Sequence, residues 1–234
     1  MSTFPTDFAN AIRAWRRPIP VIRGDVDRVR WFPRVIRPEI RRQMLELLET
    51  QISPLLRRAA RPVDPKTITG MTKNYSESLH KSLRNSTVLL NNPRSAAFKP
   101  ARETGLTAFL TSPSLQEFAE RVSGFQLEPS PGMQVICYKP GDYVGPHNDH
   151  HPEESHLRNG YVDLQITLTN DHVERQYLVY ESGGFFNRNV NIGISSGVSV
   201  SLLPFWHQVT PLIAKPGREA VARRWLLLVS FVCR

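Results

Sequence analysis

The pattern of hydrophobic and polar positions divides the chain into a helical first part and a strand-rich second part. Apolar residues recur at helical spacing over residues 38–58, where Pro54 is expected to kink or end the helix. A second helix is predicted after Ser112, a typical N-cap residue that precedes a proline, and it ends at Gly124. Both are predicted to support the core, and residues 1–33, which lack a sustained period, to form an irregular arm over it.

Short β-rich runs separated by turn residues follow from residue 131 onward, whereas residues 61–75 are predicted to form a loop. The predicted strands are 133–138, 143–149, 162–169, 176–180, 190–194, 198–203 and 225–232. Short strands at such spacing are typical of an antiparallel sandwich or a jelly roll, with the two helices packed against one sheet. The pattern therefore predicts a mainly β protein of the α+β class in a single domain.

Three residues of the strand-rich part have the side chains of an iron site. His147 and Asp149 are separated by one residue, and on an extended strand residues i and i+2 point to the same face. His207, sixty residues after His147, would arrive from another strand. Two imidazoles and one carboxylate can occupy one face of an octahedral Fe(II), which leaves three positions for a chelating cosubstrate and dioxygen. The sequence therefore predicts an oxygenase site.

A pair of arginines begins the final predicted strand. A chelating reductant such as 2-oxoglutarate has a distal carboxylate, which requires a buried cation to offset its desolvation. Because side chains alternate along a strand, one of the two arginines should point inward. Arg224 is the preferred candidate, Arg223 is the alternative, and Arg218 is disfavoured because Pro216 and Gly217 place it in a turn. A solvated strand end would account for both arginines without any ligand.

Composition sets limits on location and on cofactor chemistry. No apolar stretch reaches the length that spans a membrane, and no apolar signal-peptide region follows Met1. We therefore expect a soluble, cytoplasmic protein with no membrane partner. Cys137 and Cys233 each lie in an apolar, strand-like run, which predicts buried free thiols rather than a disulfide framework or a zinc cluster.

Positive charge is concentrated near the N-terminus. The formal net charge is +9, and residues 1–70 hold 14 Lys and Arg against 7 Asp and Glu, whereas the remainder holds 16 against 14. Such a surplus attracts anionic partners such as nucleic acid. A solvated, arginine-rich helix face is the preferred interpretation, because the sequence shows no interleaved pattern of aromatic and basic residues and no known nucleic-acid motif. Nucleic acid is therefore a partner that the sequence allows but does not favour.

An ordered series of motifs from residue 133 to the C-terminus resembles the Fe(II)/2-oxoglutarate dioxygenases of the prolyl 4-hydroxylase-like group. In chain order the motifs are residues 137–141 (CYKPG), 147–149 (HND), 168–170 (LTN), 183–184 (GG), 197 (G), 206–211 (WHQVTP) and the arginine strand. Residues 82–86 (SLRNS) are similar to a strand that often precedes the core in this group. No single motif is diagnostic, and the order of the series carries the resemblance.

The resemblance implies a double-stranded β-helix (jelly roll) core over residues 131–234, buttressed by helices within residues 1–130. It implies Fe(II) held by His147, Asp149 and His207, with 2-oxoglutarate as cosubstrate and ascorbate as a further candidate cofactor. Dioxygen and an organic substrate would react, so that a C–H bond of a small-molecule, amino-acid or peptidyl substrate is hydroxylated with release of succinate and CO2. Related halogenases replace the acid of this motif by a small residue, so Asp149 favours hydroxylation.

The resemblance also implies residues that hold 2-oxoglutarate. Tyr138 matches a tyrosine that points into the cosubstrate pocket, and Arg224 matches the arginine that binds the distal carboxylate. The 17 residues from His207 to Arg224 exceed the spacing in compact prolyl hydroxylases and are like that in nucleic-acid dealkylases. This departure keeps Arg223 open as the cosubstrate-binding arginine.

Two other functions are alternatives to the hydroxylase. An oxidative nucleic-acid dealkylase would suit the basic N-terminal segment and the arginine spacing, and a non-catalytic metal-binding jelly-roll protein would keep the fold without turnover. A loop after the HND motif holds His150, His151 and Arg158, which would contact a substrate carboxylate or phosphate if they lie at the pocket mouth. A polar, solvated loop is the simpler interpretation of these residues.

Overall fold

A curled antiparallel sheet of eleven strands dominates the described part of this computed structural model. The structure describes residues 3–13, 21–22, 27–62, 82–149 and 160–234. The strands are β1 (Val29–Pro33), β2 (Arg57–Pro62), β3 (Ser82–Leu89), β4 (Leu127–Tyr138), β5 (Tyr143–His147), β6 (Tyr161–Thr169), β7 (Val173–Arg175), β8 (Tyr177–Ser182), β9 (Phe185–Asn191), β10 (Gly197–Leu203), β11 (His207–Val209), β12 (Ile213–Ala214) and β13 (Arg224–Cys233).

Two layers of this sheet face each other. Neighbouring strands follow the order β1-β10-β6-β13-β4-β3-β5-β11-β8-β9, with β2 beside β3, while β7 and β12 pair separately. We call β1, β10, β6, β13 and β4 the first layer, and β5, β11, β8 and β9 the second layer. The layers pack together, because Tyr138 and Leu226 of the first share a buried cluster with Val144 and Leu178 of the second. The predicted jelly-roll core is therefore confirmed.

Strand β3 links the two layers. Its second half pairs with β4 from Ser86 to Leu89, and its first half pairs with β5 through Leu83 and Arg84. One strand from the N-terminal part of the chain thus completes the hydrogen bonding of two strands that belong to the predicted core. The supporting segment and the core are joined within one sheet.

Helices cover the outer face of the first layer. The described α-helices are α1 (Phe8–Ala11), α2 (Pro38–Leu47), α3 (Phe98–Glu103), α4 (Leu106–Leu110) and α5 (Pro113–Ser123). Both predicted helices are confirmed. Helix α2 runs on as a π-helix and then a 3-10 turn that contains Pro54, and α5 ends at Gly124 in the left-handed conformation. Met44 and Phe118 share a large buried cluster with Leu227 of β13.

Several stretches differ from the sequence prediction. The predicted arm contributes β1, which pairs with β10 and covers an edge that would otherwise be unpaired. Strand β9 occupies residues 185–191 rather than 190–194, because Gly183 and Gly184, both at positive φ, form the turn of a hairpin with β8. Residues 57–62 form β2 where the predicted loop was to begin, and residues 63–81 lie outside the described residues.

Two further expectations concern the thiols and the membrane. Cys137 and Cys233 are both buried and free, which confirms the prediction. In the segments that the structure describes, no helix has both the length and the apolar character needed to cross a membrane.

The inner face of the first layer is partly polar. In β6 the even-numbered residues 162–168 belong to the large buried cluster that contains Met44, Phe118 and Leu227. Asp163 and Gln165, on the other face of the strand, line an internal cavity. Ser230 of β13 lies opposite Asp163 and donates a hydrogen bond of 2.7 Å to its Oδ1. Burial and, to a smaller extent, the nearby charge of Asp149 raise the pKa of Asp163 to about 7, although the hydrogen bond from Ser230 lowers it. The polar side chains of β6 therefore face the interior of the protein rather than bulk water.

Removing a buried leucine from the first layer is expected to destabilise the fold far more than removing an exposed one. Leu227 is fully buried, and Leu89 is 47% exposed. We expect Leu227→Ala to lower the free energy of unfolding by about 2–5 kcal/mol, because it leaves a cavity in close-packed surroundings. Leu89→Ala, the matched control, should stay within about 0.5 kcal/mol of wild type in the same denaturant titration. Equal losses would contradict the assigned packing.

Asp163 is expected to make stability depend on pH. Its folded pKa of about 7 exceeds the unfolded value of 3.8, so folding takes up a proton between these values and stability falls as pH rises through this window. Asp163→Asn removes the ionisation. The stability of this variant relative to wild type should therefore rise by about 2 kcal/mol or more between about pH 5 and pH 8 in denaturant titrations. Asp171→Asn, at a largely exposed carboxylate, controls for the lost negative charge.

Candidate metal centre

Paired strands of the second layer bring two histidines together. His147 is the last residue of β5, His207 is the first residue of β11, and the two are direct partners in the antiparallel pairing. Their ring centroids lie 4.1 Å apart. The Oδ2 atom of Asp149 lies 3.5 Å from the Nε2 atom of each histidine. All three residues of the predicted iron site therefore meet at one point.

Asp149 reaches this point by a route that differs from the prediction. Strand β5 ends at His147, so the period-two argument does not apply to Asp149. Asp149 instead has a φ of 51°, in the left-handed region that few residues other than glycine adopt. The hydroxyl of Tyr161 donates a hydrogen bond of 2.9 Å to the Asp149 carbonyl. A turned backbone held by Tyr161 thus directs the carboxylate toward the two imidazoles.

Hydrogen bonds to the backbone orient both imidazoles. The Nδ1 atom of His147 lies 2.8 Å from the Gly145 carbonyl oxygen, and that of His207 lies 2.9 Å from the Phe205 carbonyl oxygen. A carbonyl only accepts, so each Nδ1 carries the proton and each Nε2 presents a lone pair. Burial lowers the pKa of His207 to about 4, with a smaller contribution from His147, which favours the neutral form that binds metals.

The three ligand atoms have the spacing of a metal site. They all lie within 4.8 Å of one another, and the two carboxylate-to-imidazole distances of 3.5 Å are near the separation of about 3 Å for adjacent ligands with bonds of about 2.1 Å. Two histidines and one carboxylate form the donor set of non-haem Fe(II) oxygenases. The cluster could therefore bind a metal ion, and its residues fit iron.

A cavity of about 310 Å³ lies between the layers. Its wall includes the three ligand residues, and also Tyr138 and Arg224 of the first layer. Apolar side chains from both layers line the space between the ligands and the arginine: Ile136, Val144, Leu178, Ile192, Val209 and Leu226. The metal ligands and the buried arginine thus open into one shared space.

Arg224 is the buried cation of this cavity. It is fully buried, and its Nε donates a hydrogen bond of 2.5 Å to the Oε1 of Gln176. Both terminal guanidinium nitrogens are also buried, and neither has a hydrogen-bond partner among the described residues. Burial lowers the pKa of Arg224 to about 10, so the charge persists at neutral pH. Such orphaned donors in a cavity are the expected counterpart of an anionic ligand group.

Tyr138 lies beside Arg224. The guanidinium carbon of Arg224 lies 4.3 Å from the centroid of the Tyr138 ring, within the range of a cation–π contact. Burial raises the pKa of Tyr138 more than the nearby arginine lowers it, so the phenol stays protonated. Asn85 of β3 lines the same part of the cavity, and its side-chain oxygen is buried without a partner among the described residues. Tyr138 and Asn85 thus present polar groups next to the arginine.

Arg223 points elsewhere. Its guanidinium donates hydrogen bonds to the carbonyl oxygens of Ala222 and Ala220, at 2.7 and 3.0 Å. Arg223 is absent from the described wall of the cavity, whereas its neighbour Arg224 is part of it. The alternation of side chains along β13 thus separates the two arginines, as the period-two argument expects.

Gln176 is a residue of this site that the sequence analysis missed. It is fully buried and holds the Nε of Arg224, while its own Nε2 donates to the carbonyl oxygens of Asp142 and Thr210, at 3.1 and 2.9 Å. Its amide therefore fixes the position of the arginine side chain. All three contacts are distant in sequence, so no local pattern could have revealed them.

The loop after the HND motif, residues 150–159, is outside the described part of the chain. His150, His151 and Arg158 lie outside the described residues. His172, in the turn between β6 and β7, takes no part in the cavity wall. The candidate site therefore consists of the three ligands, the Arg224 pocket and the polar residues of the first layer.

Comparisons with known proteins support the fold. No family model matches the chain, and no curated protein sequence matches it. An oxidoreductase of the 2OG-Fe(II) oxygenase family from Burkholderia pseudomallei has a TM-score of 0.56 at 10% identity, over 87% of this chain and 84% of that one. SnoN, a non-heme alpha-ketoglutarate-dependent epimerase from nogalamycin biosynthesis, has a TM-score of 0.56 at 10% identity, over 88% and 77%.

EvdMO1 is a further structural match, with a TM-score of 0.52 at 16% identity over 90% of this chain. The present chain spans 48% of EvdMO1, about half of its length. At identities this low the likeness concerns the fold alone. The resemblance to the Fe(II)/2-oxoglutarate dioxygenase superfamily is therefore confirmed at the level of the fold.

Proposed function

We propose that this protein is an Fe(II)- and 2-oxoglutarate-dependent dioxygenase that hydroxylates a C–H bond of a small-molecule, amino-acid or peptidyl substrate. One observation carries the proposal: a two-histidine, one-carboxylate cluster shares a cavity with a buried arginine whose terminal nitrogens have no partner in the described structure. A metal site alone would not require the arginine. An anion that also reaches the metal accounts for both features.

In this proposal His147, Asp149 and His207 hold Fe(II). The two Nε2 lone pairs and the carboxylate oxygen would be the ligand atoms, and all three residues line the cavity. The backbone hydrogen bonds at each Nδ1 keep the imidazoles from rotating and strengthen Nε2 as a donor. Tyr161 contributes by fixing the backbone of Asp149.

Arg224 would bind the distal carboxylate of 2-oxoglutarate through its two terminal nitrogens. A paired guanidinium and carboxylate form two parallel, charge-assisted hydrogen bonds, and this geometry suits a buried site. Gln176 holds the arginine in place, and the protonated phenol of Tyr138 would donate a further hydrogen bond. We assign this role to Arg224 rather than Arg223, because the Arg223 guanidinium is engaged with backbone carbonyls.

Bound Fe(II) would supply the centre at which dioxygen is reduced while 2-oxoglutarate is decarboxylated to succinate and CO2. One oxygen atom goes to the substrate, which exchanges a C–H bond for a C–OH group, and the other goes to succinate. The chain's own contribution is to orient the cosubstrate and to exclude water with the apolar wall. Ascorbate is proposed only as a reductant that restores Fe(II), and assays with and without it test that role.

Nucleic-acid dealkylation remains an alternative within the same chemistry. The described residues of β2 place Arg61 at the cavity, but Arg58 of the same strand is engaged in a paired contact with Asp142. A substrate panel that includes methylated oligonucleotides beside amino acids and peptides separates the two functions. Stimulation of succinate formation by an oligonucleotide alone would favour the dealkylase.

Loss of either ligand histidine is expected to abolish metal binding. Removal of an outer-shell partner costs about 10–100-fold in affinity, so removal of a ligand should cost at least about a hundredfold. Anaerobic titration with Fe(II) or Co(II) should show this loss for His147→Ala and His207→Ala. His172→Ala, at a turn outside the cavity wall, should bind like wild type. Unchanged affinity in the first two variants would remove the proposed metal centre.

Loss of Arg224 is expected to weaken 2-oxoglutarate binding and not metal binding. Charge-assisted hydrogen bonds contribute about 1.5–3 kcal/mol each, so Arg224→Ala should raise the KM for 2-oxoglutarate by about a hundredfold or more in a succinate assay. Arg223→Ala, its neighbour in the chain, should stay within a few-fold of wild type. A larger effect at Arg223 than at Arg224 would transfer the role to Arg223.

A further inference from the structure

A carboxylate lies at the end of the cavity opposite Arg224. On the paired strands β6 and β13, Arg224 is level with Thr169, and Asp163 is level with Ser230, six residues along each strand. At about 3.3 Å per residue this separation is about 20 Å along the strands. Asp163 is only 6% exposed, and it is part of the cavity wall. The cavity wall therefore holds a buried guanidinium at one position and a buried carboxyl group at another.

The protein provides Asp163 with few hydrogen bonds or charges that would offset the burial of its carboxylate. The hydroxyl of Ser230 donates one hydrogen bond of 2.7 Å to Oδ1. Arg61 and Arg224 also line the cavity, but among the described residues neither forms an ion pair with Asp163. A carboxylate has about four lone-pair sites, so most of its capacity to accept hydrogen bonds is unused. Buried charges in folded proteins are usually paired with an opposite charge or fully hydrogen-bonded. Asp163 has one hydrogen bond and no ion pair among the described residues.

Neighbouring side chains make this end of the cavity polar. Gln165 of β6 and Gln134 of β4 also line it, and both lie level with Leu228 of β13. On the other side of β6, Ser201 and Ser199 of β10 lie level with Asp163 and Gln165, and both serines are buried. These neutral side chains can donate and accept hydrogen bonds but carry no charge. When it is ionised, Asp163 supplies negative charge at this end.

Arg224 and Asp163 belong to the wall of the same cavity, at separate positions along β13 and β6. The proposed 2-oxoglutarate would extend from the metal ligands toward Arg224, whose position along β13 is six residues from that of Ser230, the partner of Asp163. The polar end is then the space left for the substrate. A buried carboxylate with unused acceptor sites favours a ligand with a positive charge and several N–H donors, which an ammonium group provides. An anionic substrate group would be repelled there.

We propose that the end of the cavity around Asp163, Ser230 and Gln165 binds the substrate, and that the substrate presents a basic nitrogen, as an ammonium group, to Asp163. The assignment rests on the proposed function only in treating the ligand at this end as the substrate. Asp163 accepts from the ammonium through its free oxygen, and Ser230 holds the other oxygen. The substrate class is therefore an amine that fits a small, partly apolar cavity.

Binding of a matched pair of probes tests this without turnover. Butylammonium and butan-1-ol have similar size and shape and differ in charge. The full chain is loaded with Zn(II), which has no redox chemistry, and with 2-oxoglutarate, so that the three metal ligands and Arg224 are occupied. Affinities are measured by calorimetry above neutral pH, where the Asp163 carboxyl is ionised. The variants are Asp163→Asn, which keeps the shape, and Asp171→Asn, a control at an exposed carboxylate.

We expect wild type and Asp171→Asn to bind butylammonium about tenfold or more tightly than butan-1-ol, and Asp163→Asn to lose this preference. Equal binding of the two probes, no detectable binding of either, or a preference that persists in Asp163→Asn would each overturn the proposal. A parallel assay of substrate-free succinate formation with Fe(II) reports on the oxygenase separately. If that turnover is absent while the preference for ammonium holds, the proposed function fails and the amine site remains.

Discussion

The antiparallel pairing of β5 with β11 is the constraint on which the site depends. It places His147 and His207 directly opposite each other on two neighbouring strands. A register shift of one residue would turn one imidazole to the opposite face and separate the donors. Val144 of β5 and Val209 of β11 lie in the buried cluster between the two layers, and their packing opposes such a shift. The packing of the second layer therefore sets the relative positions of the two histidines in the candidate metal site.

The desolvation of two buried side chains, Arg224 and Asp163, determines which ligands the cavity favours. The two layers bury Arg224 and Asp163 in the wall of the same cavity, and these two side chains do not pair with each other. The protein compensates each group only in part, through Gln176 at Arg224 and Ser230 at Asp163. Such partial compensation costs stability in the free protein and is recovered when an oppositely charged ligand binds. The opposite charges at the two ends also make the orientation of ligands asymmetric.

The sequence predicts the parts of this structure that follow local rules. Helical spacing and cap residues locate α2 and α5, and three ligand-type residues in strand-like runs identify the metal cluster. The alternation in β6 predicts a strand, but a polar face is normally assigned to solvent, and here it lines the cavity. Neither Gln176 nor the left-handed Asp149 follows a local pattern, because long-range contacts determine both.

Strand β3 gives the N-terminal half of the chain a role that its position in the sequence does not suggest. Because β3 pairs with β4 at one end and with β5 at the other, it completes the hydrogen bonding between the layer that holds Arg224 and the layer that holds the histidines. A fragment that begins at residue 131 would expose unpaired edges on both strands, which invites association with other chains. The residues that carry the chemistry therefore do not make up a portable unit, and grafting or truncation must keep β3.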